Sequence, residues 1–160
     1  MRVALCLSGL TRGIQYTLPS LYNKIIKPLN ADVFMHTWDI NVGGGNSADR
    51  FLSAPPVWKD ANEKVSSLTT HSTENNYALE LEIESFSNWK SDKIFKKNVG
   101  PMYYSIHRSN ELKRKKETAD NFQYDIVIRS RMDSYYDNDF PIEELISIDK
   151  DDKKIFVGLN

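Results

Sequence analysis

The sequence predicts an α/β domain with a mostly parallel β-sheet flanked by helices. The apolar run at residues 3–7 has the composition of a strand that is buried on both faces, and residues 32–37 and 124–133 are two further apolar strands. Between the first two runs, apolar residues recur every three or four positions from Ile14 to Leu29, which predicts an amphipathic helix. Strand, helix and strand together form a βαβ unit of about 35 residues, so the first two strands are expected to be parallel.

The composition limits the classes of function. The chain has 160 residues, of which 40% are hydrophobic and 27% are charged, as expected for one soluble domain. With 21 basic and 22 acidic side chains the net charge is −1, which argues against a protein built mainly to bind nucleic acid. No apolar stretch reaches about 18 residues, so no transmembrane segment is predicted. The single cysteine, Cys6, excludes an internal disulfide and favours a cytoplasmic location.

Two further elements follow from patterns in the second half of the chain. Residues 79–84 alternate strictly between apolar and acidic, which predicts a strand with one solvated face near a sheet edge. A helix is predicted from Pro101 to Thr118, with Met102 and Leu112 toward the core.

Three other parts of the chain carry weaker patterns. Residues 39–76 are predicted to form a long loop, because they include consecutive glycines, consecutive prolines and many small polar residues, with a weak helical stretch at 60–68. Pro19 is expected to kink the first helix or to delay its start. A further short strand is predicted at residues 154–158.

The loop after the first strand carries residues that suit a nucleotide phosphate. Gly9 and Gly13 permit positive φ and close approach of the backbone to a ligand. Ser8 and Thr11 offer hydroxyl groups, and Arg12 can bind a phosphate through two hydrogen bonds. The alternative is a plain glycine turn with a solvated arginine. The loop matches neither the G-x-G-x-x-G motif nor the P-loop motif, so neither of those sites is predicted.

The last apolar run ends in three charged residues that the period of a strand places on one side. Arg129, Arg131 and Asp133 alternate there with Ser130 and Met132. Such charges are costly to bury without partners, and a phosphate together with Mg²⁺ or Mn²⁺ would satisfy all three. The alternative is a salt-bridge ladder at the end of the strand, with Arg131 and Asp133 about 7 Å apart and bonded through a neighbouring residue.

Asp137 and Asp139 form a literal D-x-D and are a second candidate for a metal site. In an extended chain Asp133 and Asp137 would lie about 13 Å apart, too far to share one ion. The two residues of the D-x-D also look like ordinary turn residues before a proline, so Asp133 ranks first.

Four segments together resemble a family of small GT-A glycosyltransferase domains, which are found in large DNA viruses of algae and in bacterial surface-glycan clusters. The segments are residues 3–9 with Arg12, residues 32–38, residues 102–106 with Asn110, and residues 124–133. The resemblance depends on the order of the four motifs. It implies a GT-A-like, Rossmann-like fold, a nucleotide-diphosphate sugar donor, a glycan acceptor, and Mn²⁺ or Mg²⁺ as cofactor.

Residue by residue, the resemblance implies that Ser8, Gly9 and Arg12 line the nucleotide pocket. It also implies that Asp133 occupies the position of the metal-binding acidic motif. The residue two before Asp133 is Arg131, so one carboxylate stands where the D-x-D of such enzymes has two.

The resemblance points as well to the end of the second strand and to the long helix. His36, Trp38 and Asp39 would touch the base or ribose, and Asn110 and Lys113, one turn apart, would face the donor together. From the residues alone, a packed histidine and an aromatic plug are the alternatives for His36 and Trp38. A solvated helix end is the alternative for Lys113.

Three functions remain open from the sequence. The first is a metal-assisted glycosyltransferase. The second is a sugar-phosphate nucleotidyltransferase, because residues 7–12 echo the G-x-G-T-R loop of that class, without its middle glycine or a nearby lysine. The third is a non-catalytic module that binds a nucleotide sugar or a glycan. The sequence identifies no catalytic base, which a GT-A domain carries in its acceptor half, and that half is expected to be missing or minimal here.

Overall fold

The fold is described by a computed structural model that covers residues 1–11, 13–39, 61–86, 100–141 and 143–144. Along the chain these residues form β1 (Val3–Gly9), α1 (Ile14–Leu21), a π-helical segment (Tyr22–Ile26), α2 (Lys27–Leu29), β2 (Asp32–Trp38), α3 (Ala61–Glu74), β3 (Leu79–Glu84), α4 (Gly100–Ala119) and β4 (Ile126–Arg131). Arg12, most of the predicted loop and the strand predicted at 154–158 lie outside the described residues.

The four strands form one sheet in which every neighbouring pair is parallel, in the order β3-β2-β1-β4. The predicted parallel α/β fold is therefore confirmed, and β3 is an outer strand of this sheet, as its alternating sequence indicated. β1 pairs on both sides, and its Ser8 lies opposite His36 of β2 and Arg131 of β4. Because the strands run in the same direction, their carboxyl ends meet at one edge of the sheet.

One face of the sheet is covered by the helical segment between β1 and β2 and by α3. Leu5 and Leu7 of β1 are fully buried on this face, against Ile14 and Leu21 of α1 and Leu68 of α3. The alternation of a strand sends every second side chain of β1 to this face. Burying an aliphatic side chain of this size stabilises the fold by about 1.5–3 kcal/mol.

The other face of the sheet is covered by α4. Ala4 and Cys6 of β1, Phe34 of β2 and Tyr124 form a smaller apolar cluster there. Burial raises the pKa of the Cys6 thiol to about 11. The thiol is therefore protonated at neutral pH and acts as a small apolar side chain.

Helix α4 turns small and polar residues toward the sheet. Its buried positions are Gly100, Pro101, Ser105, Ser109 and Lys113. Met102 was predicted to face the core, but it is 42% exposed, so that prediction is wrong. Leu112 does pack against the smaller cluster, as predicted. Small side chains allow the helix to approach the strands closely, and the Cys6 Sγ lies 4.0 Å from the Ser109 carbonyl oxygen.

The helix after β1 begins at Ile14, so Pro19 does not delay its start. It continues through Pro19 and becomes π-helical between Tyr22 and Ile26 before α2 completes it. The weak helical stretch predicted at residues 60–68 is present as the longer helix α3. None of the helices in the described ranges is both long and apolar enough to cross a membrane.

Leu5→Ala is expected to lower the free energy of unfolding by about 2–5 kcal/mol, because it opens a cavity between the sheet and α1. Val127→Ala on β4 is the control, since Val127 is 48% exposed, and its cost should stay below about 1 kcal/mol. Urea denaturation followed by circular dichroism measures both changes. Equal costs for the two variants would contradict the packing described for β1.

Candidate functional site

The carboxyl ends of β1 and β4 meet where the strand order of the sheet reverses. β2 and β3 extend the sheet on one side of β1, and β4 lies on the other side. Open α/β sheets bind their ligands in the crevice at such a switch point. Two predicted site regions are brought together here, since Ser8 and Arg131 are direct neighbours in the register of β1 and β4.

The loop from β1 to α1 has a backbone that requires glycine at two positions. Gly9 has a φ of +117° and Gly13 has a φ of +76°, which L side chains rarely adopt. Thr11 is 2% exposed, and its hydroxyl has no hydrogen-bond partner in the part of the chain that the structure describes. A buried hydroxyl without a partner is costly, so a ligand or water that reached it would be stabilised. Arg12, predicted to bind phosphate, lies outside the described residues.

Arg131 and Asp133 bind each other directly. Nε and Nη2 of Arg131 donate to the two carboxylate oxygens of Asp133, each at 2.7 Å. β4 ends at Arg131, and Asp133 lies in the turn that follows, not in the strand as predicted. The salt bridge that the sequence offered as an alternative is therefore present as a direct pair. The bond to Asp133 raises the pKa of Arg131, and a cation at Asp133 would have to share or displace this partner.

The chain around Asp133 is fastened to α1. The Thr17 hydroxyl donates to the Met132 carbonyl oxygen on one side of Asp133. On the other side, the Tyr136 N–H donates to Ser20 Oγ at 2.6 Å, and the Ser20 hydroxyl donates to the Tyr136 carbonyl oxygen at 3.1 Å. These bonds hold the turn beside the helix that begins at the candidate phosphate loop.

The D-x-D at Asp137 and Asp139 lies on the surface after this turn. Lys24 of the π-helical segment pairs with Asp139 at 2.7 Å, and the aspartate side chain is 82% exposed. Asp137 is also exposed. Both residues lie in irregular chain on either side of a bend at Asn138.

Asp39, predicted to touch the donor, fastens the ends of β2 and β3 together. Its N–H donates to the Glu84 carbonyl oxygen at 2.9 Å, and its carboxylate accepts from the Phe86 N–H at 2.9 Å. These bonds lie on the opposite side of β1 from Arg131. These two bonds join the end of β2 to the chain at the end of β3.

Three other predicted donor-binding residues lie outside the crevice. Lys113 follows Ser105 by eight positions on α4, about 12 Å further from the carboxyl edge of the sheet. It pairs with Glu117 at 2.6 Å, and its side chain is 9% exposed, so it does not belong to a solvated helix end. Asn110 is half-buried between these two turns of the helix. Arg129 is exposed on β4, two positions before the strand ends.

A second group of charged side chains, which the sequence did not predict, lies between β2, β3 and α4. His36, Glu82 and Glu84 offer one nitrogen and two carboxylate oxygens that all lie within 4.8 Å of one another. Arg108 Nε lies 3.1 Å from Glu82 Oε2 and 3.3 Å from Glu84 Oε1. The Tyr104 hydroxyl donates to Glu84 at 3.0 Å. We call His36, Glu82 and Glu84 the histidine–glutamate cluster.

Two features of the sequence point to this cluster, but neither of them alone predicts it. The alternation over residues 79–84 was expected to leave the glutamates on a solvated face, but that face turns toward α4 and is half-buried. A histidine inside the otherwise apolar run of residues 32–37 is the other part of the signal. Only the register of β2 and β3, which places His36 beside Glu82, joins the two.

His36 is fully buried and Trp38 is 3% exposed. Both side chains are therefore packed in the interior, which was the alternative to contact with a donor. The His36 ring makes edge contacts with Trp38 at 5.2 Å and with Tyr104 at 5.7 Å between ring centres. Burial lowers the pKa of His36, while the charges of Glu84 and Glu82 oppose this shift. The imidazole is therefore neutral at neutral pH.

The hydroxyl of Ser105 joins α4 to the ends of β1 and β2. It donates to the His36 carbonyl oxygen at 3.0 Å, accepts from the Gly9 N–H at 3.0 Å, and lies 2.9 Å from Nδ1 of His36. A hydroxyl has one proton to donate, so Nδ1 donates to Ser105 where that proton goes to the His36 carbonyl oxygen, and accepts from Ser105 where it does not. Nε2 of the same ring has no hydrogen-bond partner among the described residues.

No protein-family model, curated protein or solved structure matches the chain. The resemblance to GT-A glycosyltransferase domains stays a prediction drawn from the four sequence segments.

Ser105→Ala is expected to lower the free energy of unfolding by about 1–3 kcal/mol, because the Gly9 N–H and Nδ1 of the His36 ring lose their buried partner. Ser109→Ala is the matched control. Ser109 is equally buried on the same face of α4, but its hydroxyl donates to the Ile106 carbonyl oxygen of its own helix. Its loss should cost about 1 kcal/mol or less. Urea denaturation measures both variants, and equal costs would argue against the bridging role of Ser105.

Proposed function

We propose that the chain is a glycosyltransferase domain that binds a nucleotide-diphosphate sugar in the crevice between β1 and β4. The sugar would then be transferred to a glycan acceptor. The observation that carries the proposal is the adjacency of Ser8 and Arg131 at the strand ends, where the order of the sheet reverses. Ligands of open α/β sheets bind at this position.

The crevice offers the groups that a diphosphate needs. Apart from residues adjacent in the chain, no atom of the described residues lies within 4 Å of the position that a Cβ would take at Gly9 or Gly13, so a phosphate has room to approach the backbone there. Thr11 contributes a buried hydroxyl without a partner among the described residues. Arg131 adds a planar guanidinium group, whose paired N–H groups match the oxygens of a phosphate.

The ion pair of Arg131 and Asp133 is suited to exchange with a ligand. The two side chains are 59% and 30% exposed, and a pair with this exposure contributes about 0–1 kcal/mol to stability. A diphosphate carries more negative charge than one carboxylate, so it competes well for the guanidinium. When Arg131 turns to the diphosphate, its ion pair with Asp133 is exchanged for one with the ligand.

The carboxylate of Asp133 fits a hard divalent cation that takes most of its ligands from the substrate. Mg²⁺ and Mn²⁺ use one or two protein carboxylates together with phosphate oxygens. Asp133 would hold such an ion against the diphosphate. The bound ion supplies positive charge to the leaving diphosphate. Arg131 stabilises the same developing charge from the protein side.

A nucleoside diphosphate with Mn²⁺ is expected to raise the Tm of the protein. At ten times Kd, binding stabilises the folded state by about 1.4 kcal/mol, which corresponds to about 3–6 °C for a domain of this size. Differential scanning fluorimetry with ADP, CDP, GDP and UDP measures the shift. Arg131→Gln should remove the shift, whereas Asp133→Ala should remove the part that depends on Mn²⁺.

Arg114→Gln is the matched control for this experiment. It also removes one guanidinium group, but Arg114 lies on α4 with a side chain that is 67% exposed and pairs with Glu111. The control should keep the full shift. A protein that shows no shift with any of the four nucleotides, or an Arg131→Gln variant that keeps it, would contradict the proposed site.

Product analysis separates the glycosyltransferase from the two other functions that the sequence leaves open. Nucleotide-diphosphate sugars are expected to yield free nucleoside diphosphate, at a rate that Arg131→Gln lowers by about 100-fold. Release of pyrophosphate from a nucleoside triphosphate and a sugar phosphate would instead identify a nucleotidyltransferase. Donor binding without either product would identify a non-catalytic module.

A further inference from the structure

We propose that the histidine–glutamate cluster binds a divalent transition-metal ion of the zinc type. The ligands are Nε2 of His36 and one carboxylate oxygen each from Glu82 and Glu84. The site lies where β2 and β3 pass beneath α4, on the opposite side of β1 from the crevice. It is independent of the proposed function.

The register of the sheet gathers the three ligands. His36 and Glu82 are direct neighbours on β2 and β3, and Glu84 follows two positions later on the same face. Nε2 of His36 lies 3.4 Å from Oε1 of Glu84. Ligand atoms around a tetrahedral zinc ion are also about 3.4 Å apart, because each lies about 2.1 Å from the metal. Rotation of the half-buried glutamate side chains closes the remaining distances.

The ring nitrogen that faces the glutamates indicates a missing ligand. His36 is 0% exposed, and its Nε2 has no hydrogen-bond partner among the described residues. In the tautomer that carries its hydrogen on Nδ1, Ser105 accepts that hydrogen and Nε2 directs a lone pair toward the carboxylate of Glu84. A lone pair and a carboxylate oxygen repel each other across this distance unless a cation lies between them. A metal ion accepts electron pairs from both.

The charges around the cluster favour a cation. Glu82 and Glu84 bring two negative charges, Arg108 supplies one positive charge, and Tyr104 is neutral. These groups together therefore carry a net charge of −1, which a divalent ion would offset.

Neighbouring side chains orient the histidine ring and bind the two glutamates, whose carboxylates have only to rotate to reach the metal. Ser105 fixes the His36 ring through Nδ1, and metal-binding histidines are usually fixed by a hydrogen bond at their other nitrogen. Arg108 binds both oxygens of Glu82, and the Tyr104 hydroxyl contacts both oxygens of Glu84. Each carboxylate oxygen has two lone pairs, so a metal would bind through a lone pair that these bonds leave over. One imidazole and two carboxylates suit Zn²⁺, and three protein ligands leave a fourth position for water.

Isothermal titration of the metal-free full chain with zinc chloride, without nucleotide, tests the site. We expect one Zn²⁺ to bind per chain. Glu82→Gln and Glu84→Gln keep the size of the side chain but remove a charged ligand, so each should weaken binding by at least about tenfold. Glu80→Gln is the matched control, because Glu80 lies on the same face of β3 but outside the cluster. It should bind Zn²⁺ as the wild type does.

A second measurement uses the wild-type protein alone and does not depend on how the variants fold. In protein with isotope-labelled histidine, Zn²⁺ should shift the Nε2 resonance of one of the three histidines, the fully buried His36. Three outcomes would overturn the proposal: no Zn²⁺ binding, equal affinity in Glu82→Gln, Glu84→Gln and wild type, or a shift at another histidine. Nucleotide is absent from both measurements, so failure here is distinct from failure of the nucleotide site.

Discussion

The pairing of β1 with a parallel neighbour on each side is the constraint on which the rest of the structure depends. Residues 3–8 are all buried, so neither face nor either edge of the strand is left to solvent. A strand in that position has to be apolar through its length, as residues 3–7 are. The chain becomes polar only at Ser8, near the end of the strand. The neighbouring strands also carry polar residues at this edge of the sheet, with His36 and Arg131 opposite Ser8.

The small side chains of β1 also decide how closely α4 approaches. Ala4 and Cys6 present little volume to the helix, and Ser105 and Ser109 present little volume to the sheet. The helix therefore lies near enough for one serine hydroxyl to reach the main chain of two strands. A larger residue on either side would separate that hydroxyl from the His36 ring. The loop after β1 and the histidine–glutamate cluster thus share one anchoring group.

The fold could be predicted because burial leaves a local pattern, whereas the sites depend on contacts between distant elements. Glu82 and Glu84 were expected in solvent, since alternation identifies a polar face but not the element that covers it. Met102 was expected in the core on hydrophobicity, but the close approach of α4 selects small residues such as Ser105. The direct pair of Arg131 and Asp133 forms because β4 ends two residues earlier than predicted. An apolar pattern does not define the last residue of a strand.

The outer strands of the described sheet carry charges of opposite sign. Glu80, Glu82 and Glu84 lie on β3, and Arg129 and Arg131 lie on β4. If two molecules joined through the same outer strand, side chains of like charge would face each other across the new pairing, which is destabilising. Charged residues on outer strands are one means by which proteins avoid joining into extended sheets. The residues that shape the two candidate sites thus also oppose aggregation.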